Sequence, residues 1–138
     1  MAELNASLVW KDGVHFEGTS PSGHTVQLDG NKEQGASPME LILLGLGGCA
    51  SYDVVTILKK SRQDVQDVRC EMRAVRADSV PAVFTDIHLH FVVTGNDIKD
   101  AQVAKAIELS AEKYCSASRM LSAGGVNITH DYKIISAS

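Results

Sequence analysis

The stretch Ser37-Pro38-Met39-Glu40-Leu41-Ile42-Leu43-Leu44-Gly45-Leu46-Gly47-Gly48-Cys49-Ala50 decides the fold. Its first residues spell a helix start. Ser37 can cap, Pro38 suits the first helical position, and Glu40 is spaced to reach back in a capping box. Beyond them the chain is apolar almost all round, through Leu46, Val54, Val55, Ile57 and Leu58. It turns polar only at Lys59-Lys60-Ser61-Arg62, where positive charge suits a helix C-terminus. A helix apolar on every side must be buried on every side. One sheet of a 138-residue chain can hardly wrap it, so a second subunit is the expected cover. Gly45, Gly47 and Gly48 each cost this helix about 1 kcal/mol relative to alanine. Their clustering implies close approach to the backbone, by a partner helix or by a substrate reaching Cys49.

Upstream of the helix the chain reads as short strands. Asn5 to Trp10 leads into the hairpin signal Asp12-Gly13, Val14 to Gly18 follows, and Pro21-Ser22-Gly23 turns into His24 to Asp29. Asn31 to Ala36 is a polar loop. Downstream, Val68, Cys70, Met72 and Ala74 alternate with polar neighbours. After the turn Ser79-Val80-Pro81-Ala82, Ile87, Leu89, Phe91 and Val93 alternate with His88, His90 and Val92. This predicts an antiparallel pair with one face toward a helix layer. A second helix starts near Asp97 to Asp100, with Val103, Ala104, Ile107, Ala111 and Tyr114 as its stripe and Cys115 at its end. Ser116-Ala117-Ser118 breaks it before a short helix through Met120 and Leu121, which Gly124-Gly125 closes. Val126 to Ile135 is the last strand. Strands and helices without strict alternation indicate an α+β fold, and one domain over residues 1–138 is expected.

Composition narrows the function classes. Apolar residues are 44% and charged residues 22%, with a net charge of −4. An acidic balance argues against nucleic acid as a partner. The N-terminus Met1-Ala2-Glu3-Leu4-Asn5 lacks the basic-then-apolar order of a secretory signal. The apolar run Leu41 to Ala50 falls short of the roughly 20 residues of a membrane span. A cytoplasmic protein with no membrane association is therefore expected. The three cysteines, Cys49, Cys70 and Cys115, are an odd number without CxxC spacing, so neither a structural zinc nor another cofactor is implied. Cys70 alternates into the core and reads as a small buried hydrophobe. His88 and His90 form a His-x-His pair without an acidic partner nearby in sequence, so no metal site is expected.

Two motifs carry a resemblance. Ser37-Pro38-Met39-Glu40-Leu41 followed by Gly47-Gly48-Cys49-Ala50 resembles the central helix of the OsmC/Ohr family, and Lys113-Tyr114-Cys115-Ser116-Ala117-Ser118 resembles its second cysteine motif. Asp53-Val54-Val55-Thr56-Ile57-Leu58-Lys59-Lys60 looks like the family's YhfA-type branch. The resemblance implies an OsmC-like fold, with antiparallel sheets wrapped around long central helices in an intertwined homodimer and sites at the subunit interface. It implies that Cys49 attacks a small-molecule peroxide, that Cys115 resolves the product to a disulfide, and that a dithiol reductant restores the enzyme. The chemistry is sound, because a thiolate is the nucleophile, peroxide oxidises it to a sulfenic acid, and a second thiol condenses with that acid. A disulfide requires the two Cα atoms within about 7 Å.

The sequence also departs from the pattern. The family's peroxidases use an arginine from the N-terminal strands, and here no arginine precedes Arg62. Met39 stands at the family's glutamate position, and Glu40 follows one residue later, turned about 100° around the helix. Glu40 is the candidate replacement for the glutamate, although its spacing favours capping. Arg119, four residues after Cys115, is the candidate for the arginine if one helix spans both, with a solvated arginine as the alternative. Asp53, four residues after Cys49, would raise a thiol pKa if it faced the sulfur. It could equally face outward or accept a backbone N–H. Gly48, Tyr52 and Tyr114 are the candidate pocket residues. Two functions follow: a thiol-dependent peroxidase acting on organic hydroperoxides, or a small-ligand-binding or redox-sensing protein that keeps the cysteine pocket and an apolar ligand but has lost efficient turnover.

Overall fold

The structure is a computed structural model describing residues 2–137. The chain divides into two compact units, Met1–Ile42 and Leu43–Ser138. The first holds β1 (Ser7–Asp12), β2 (His15–Thr19) and β3 (Thr25–Asp29) as an antiparallel meander in the order β1-β2-β3. The first hairpin forms where the Asp-Gly signal lies. Gly13 takes φ 51°, a left-handed value that favours glycine, and Trp10 Nε1 donates to its carbonyl at 2.9 Å. Leu8, Gly18 and Val26 align across the sheet, as do Trp10, Phe16 and Leu28, so these six share one face. A Cβ at Gly18 would lie 3.2 Å from both the Leu8 and Leu28 side chains, so glycine lets those leucines meet. The opposite face is polar: His15 Nε2 and Gln27 Oε1 lie 2.6 Å apart, and Gln27 Nε2 donates to Glu17 at 3.0 Å.

The loop after β3 is built around a buried carboxylate. Asp29 accepts the N–H groups of Asn31 (2.8 Å), Gln34 (2.9 Å) and Glu33 (3.3 Å), which hold its carboxyl below the usual range. The loop ends at the capping box read from the sequence. The Ser37 amide donates to Glu40 Oε1 at 2.8 Å, and the Glu40 amide donates to Ser37 Oγ at 3.3 Å. Helix α1 then runs Pro38–Lys60. It is longer than the apolar run at its start, and by length and composition alone it could cross a membrane. In the folded chain Leu46, Val54 and Leu58 are fully buried, each worth roughly 1.5–3 kcal/mol.

The second unit holds the sheet β4-β5-β6: β4 (Asp64–Arg76), β5 (Phe84–Asn96) and β6 (Asn127–Ser136). β4 and β5 pair antiparallel over 13 residues each, further than their alternating cores, because polar ends also pair, as where Asn96 Nδ2 donates to Asp64 Oδ2 at 2.9 Å. β6 joins β5 in parallel, so this sheet is mixed. Parallel neighbours need a long crossover, and here it carries α2 (Asp100–Leu109), a π-helical turn (Ser110–Tyr114) and α3 (Ser116–Ala123). Ile87, Leu89, Phe91 and Val93 form the buried face of β5, as their alternation predicts.

Candidate active site

The three glycines of α1 do different things. Gly47 is buried, and a Cβ there would run into the Met72 thioether of β4, so helix and sheet approach closely at that point. Gly45 and Gly48 face open space, with nothing within 4 Å of a Cβ. They lie on an exposed apolar stripe with Leu44 and Tyr52, the latter 70% exposed. The expectation of a helix buried all round therefore holds on one side within this chain.

Cys49 sits beside that stripe, half-buried. Cys115 comes to it from the crossover. The α2 helix does not continue to Cys115 with regular spacing. From Ser110 it widens into a π turn, closed by the Cys115 amide donating to the Ser110 carbonyl at 2.8 Å. Cys115 itself is extended (φ −77°, ψ 102°) and caps α3, its sulfur accepting the Ser118 N–H at 3.4 Å. A break is present, but it falls at Cys115 and not at Ser116-Ala117-Ser118, which already form the first turn of α3. Cys115 is 0% exposed, and Cys49 is one of the groups that bear on its thiol. Burial pushes the Cys115 thiol up to about 11. Ser118 N–H opposes this, while Cys49 and then Asp53 add to it.

Asp53 neither faces outward nor accepts a backbone N–H. It is buried, 9% exposed, and its Oδ2 accepts the Ser110 hydroxyl at 3.0 Å. Ser110 Oγ also lies 3.4 Å from the Ala50 carbonyl. Ser110 was not singled out in the sequence, and Ser118 only as part of the helix break and the second cysteine motif. Their signal is weak, since a serine at a helix break is usually a cap, and their partners lie on another element or across the turn.

The remaining candidates disperse. Glu40 is committed to the cap, with Lys32 at 3.9 Å, and the Ser37 amide holds its carboxyl below the usual range. Arg119 is exposed and donates Nη1 to the Glu112 carbonyl at 3.1 Å. It shares no continuous helix with Cys115, because the chain is extended there, and it lines a cleft of about 420 Å³ with Ser118, Ser122 and His130. Tyr114 is exposed, with Lys113 Nζ 5.3 Å from its ring centroid. It borders a cavity of about 340 Å³ lined also by Asp53, Thr56, Lys60 and Lys105. Cys70 is half-buried beside Ser51, and burial pushes its thiol up.

One expectation needs correcting. His88 and His90 do have an acidic partner, supplied by the parallel neighbour β6. Asp131 Oδ1 lies 2.9 Å from His88 Nε2 and 2.6 Å from His90 Nδ1, and His88 Nδ1 lies 2.7 Å from Thr129 Oγ1. Among the described residues no group of three or more His, Cys, Asp or Glu side chains is arranged to hold a metal ion.

A central helix and a broken crossover helix thus carry Cys49 and Cys115 into one neighbourhood of an α+β fold. The family model described as OsmC-like protein matches residues 30–131, and the chain belongs to that family. It is 49% identical to protein YhfA of Escherichia coli K12 over 135 residues, covering 97% of this chain and 100% of that one. A crystal structure of a protein from Aquifex aeolicus VF5 superposes with TM-score 0.90 at 27% identity, covering 100% of both chains. The organic hydroperoxide resistance protein OhrB of Bacillus subtilis shares the fold, with TM-score 0.62 at 16% identity, covering 96% of this chain and 98% of that one.

Proposed function

We propose that this protein is a thiol-dependent peroxidase acting on organic hydroperoxides through Cys49 and Cys115. The observation that carries this reading is the sulfur pair itself: a partly exposed Cys49 neighbouring a sealed Cys115 thiol. The Cys49 thiolate attacks the outer peroxide oxygen. The O–O bond breaks, the alcohol leaves with a proton, and Cys49 becomes a sulfenic acid. Cys115 then attacks the Cys49 sulfur. An S–S bond forms, the S–O bond breaks, and the hydroxyl leaves with the Cys115 proton as water. A dithiol reductant returns both thiols by exchange. The apolar stripe beside Cys49 favours a hydroperoxide with an apolar body.

The same stripe supports a homodimer. Leu44, Gly45, Gly48 and Tyr52 are an apolar helix face with glycines where a second helix could approach closely. A cytoplasmic location fits free thiols that must stay reduced.

A specific observation favours a second reading. Glu40 and Arg119 are occupied elsewhere, so the side chains proposed to replace the family's charged pair do not bear on the sulfurs. A slow redox sensor or apolar-ligand binder with the same pocket would look like this. Peroxide consumption with a dithiol reductant separates the two. A peroxidase consumes organic hydroperoxide over many turnovers, loses all activity in Cys49→Ser, and in Cys115→Ser forms a sulfenic acid but no intramolecular disulfide. Absence of turnover, with ligand protection of Cys49 from alkylation, selects the second reading.

A further inference from the structure

We propose that Asp53, clamped by Ser110, is a positioning residue that fixes the Cys115 thiol in its place against α1 and adds to the setting that keeps it a thiol until Cys49 has been oxidised. This rests on the cysteine-pair reading above. It concerns how the order of events at that pair is enforced when no arginine precedes Arg62.

A buried carboxylate costs several kcal/mol unless it is partnered, and Asp53 has no ion pair among the described residues. Its partner is the Ser110 hydroxyl, on a residue only 2% exposed. Ser110 is also where the π turn begins, and its carbonyl holds the Cys115 amide at 2.8 Å. A continuous path therefore runs from the Asp53 carboxylate through Ser110 to the Cys115 backbone, and it fixes where the second sulfur sits relative to α1.

The groups bearing on the Cys115 sulfur are few. From α1 they are Cys49 and Asp53, and from α3 the Ser118 N–H. Within the crossover Glu112 and Lys113 are exposed, as is Arg119 at its Glu112 contact. The small cavity that joins Ser110 and Ser118 to the sheet is lined there by Leu89, Phe91, Ile128 and His130. On the other side of Asp53, exposed Lys60 and Lys105 border the 340 Å³ cavity and offset part of its field.

In this setting Cys115 keeps its proton at neutral pH, chiefly through burial and further through Cys49 and Asp53. A protonated thiol is a poor nucleophile, so Cys115 does not compete for peroxide. Its S–H is left available to donate toward the Cys49 sulfur. Once Cys49 carries a hydroxyl, the retained proton is the one that leaves as water.

The test uses the full chain with Cys49→Ser and Cys70→Ser, so that Cys115 is the one thiol. Its ionisation is followed by ultraviolet thiolate absorbance against pH. Asp53→Asn is expected to lower the midpoint, giving roughly twofold more thiolate at a given pH below it. An unchanged or higher midpoint overturns the proposal. Ser110→Ala keeps the charge and removes the clamp. It should leave the midpoint alkaline while alkylation of Cys115 by iodoacetamide becomes several-fold faster, and an unchanged alkylation rate overturns the positioning role. If Asp53→Asn does not fold, the Ser110→Ala result decides. Neither measurement involves peroxide, so failure of the peroxidase reading and failure of this inference appear in different experiments.

Discussion

Strands β2 and β5 each occupy the middle of a three-stranded sheet, and their surroundings differ completely. Around β5, Ile87, Leu89, Phe91 and Val93 are sealed, with helices of the crossover packed against the neighbouring β6. Around β2, the aligned apolar face leaves Leu8 and Val26 exposed and Trp10 65% exposed, and it forms an open groove of about 480 Å³. Three strands need a covered face to be stable. The second sheet is covered by the chain's own helices. The first has an apolar face whose Leu8, Trp10 and Val26 are exposed, as are Leu44 and Tyr52 on the outward stripe of α1. The contrast teaches that alternation specifies a hydrophobic face independently of how deeply that face is buried.

Three substitutions test this contrast. Phe91→Ala should have the largest effect, costing about 3–5 kcal/mol in denaturant unfolding. A loss under about 1 kcal/mol would mean that the second sheet is not the closed core described here. Trp10→Ala should leave the stability of the isolated chain within about 1 kcal/mol. It should weaken self-association by at least tenfold, about 1.4 kcal/mol, in sedimentation equilibrium. Unchanged association would mean that something other than a second copy covers the first sheet. Asp131→Asn should have the smallest effect, and only in acid. The His90 and His88 contacts hold the Asp131 carboxyl below its ordinary 3.8. A depressed folded value contributes stability above the unfolded value, and that stability is lost as pH falls through the folded value. The variant should flatten the acid limb of melting temperature against pH below about pH 4. Parallel limbs in both proteins would remove any role for the outer face of the second sheet.

What was legible in the sequence was mostly local. Asp12-Gly13 marks a hairpin because glycine tolerates its backbone, and Ser37 to Glu40 marks a helix start because both partners lie within four residues. The alternation around Phe91 was readable for the same reason, as was a helix break near Cys115, one residue off because Ser116 already opens α3. What escaped depends on residues meeting from afar. Asp131 reaches His88 and His90 only because β6 lies parallel to β5, and Ser110 reaches Asp53 only because the crossover lies beside α1. The two cysteines were marked by resemblance, not by chemistry readable in their neighbours. The π turn had no signal at all, since Ser110-Ala111-Glu112-Lys113-Tyr114 reads as ordinary helix.

That turn has an evolutionary consequence. A π-helical turn holds one more residue than the α-helical turn it replaces. Loss of a single codon between Ser110 and Tyr114 would absorb the extra residue and leave an ordinary helical turn, with the flanking segments still in register. The wide turn that sets the Cys115 backbone against Ser110 would go, while the strands and α1 stayed as they are. The setting of one cysteine can therefore be edited by a single-residue deletion or insertion with the scaffold inherited intact.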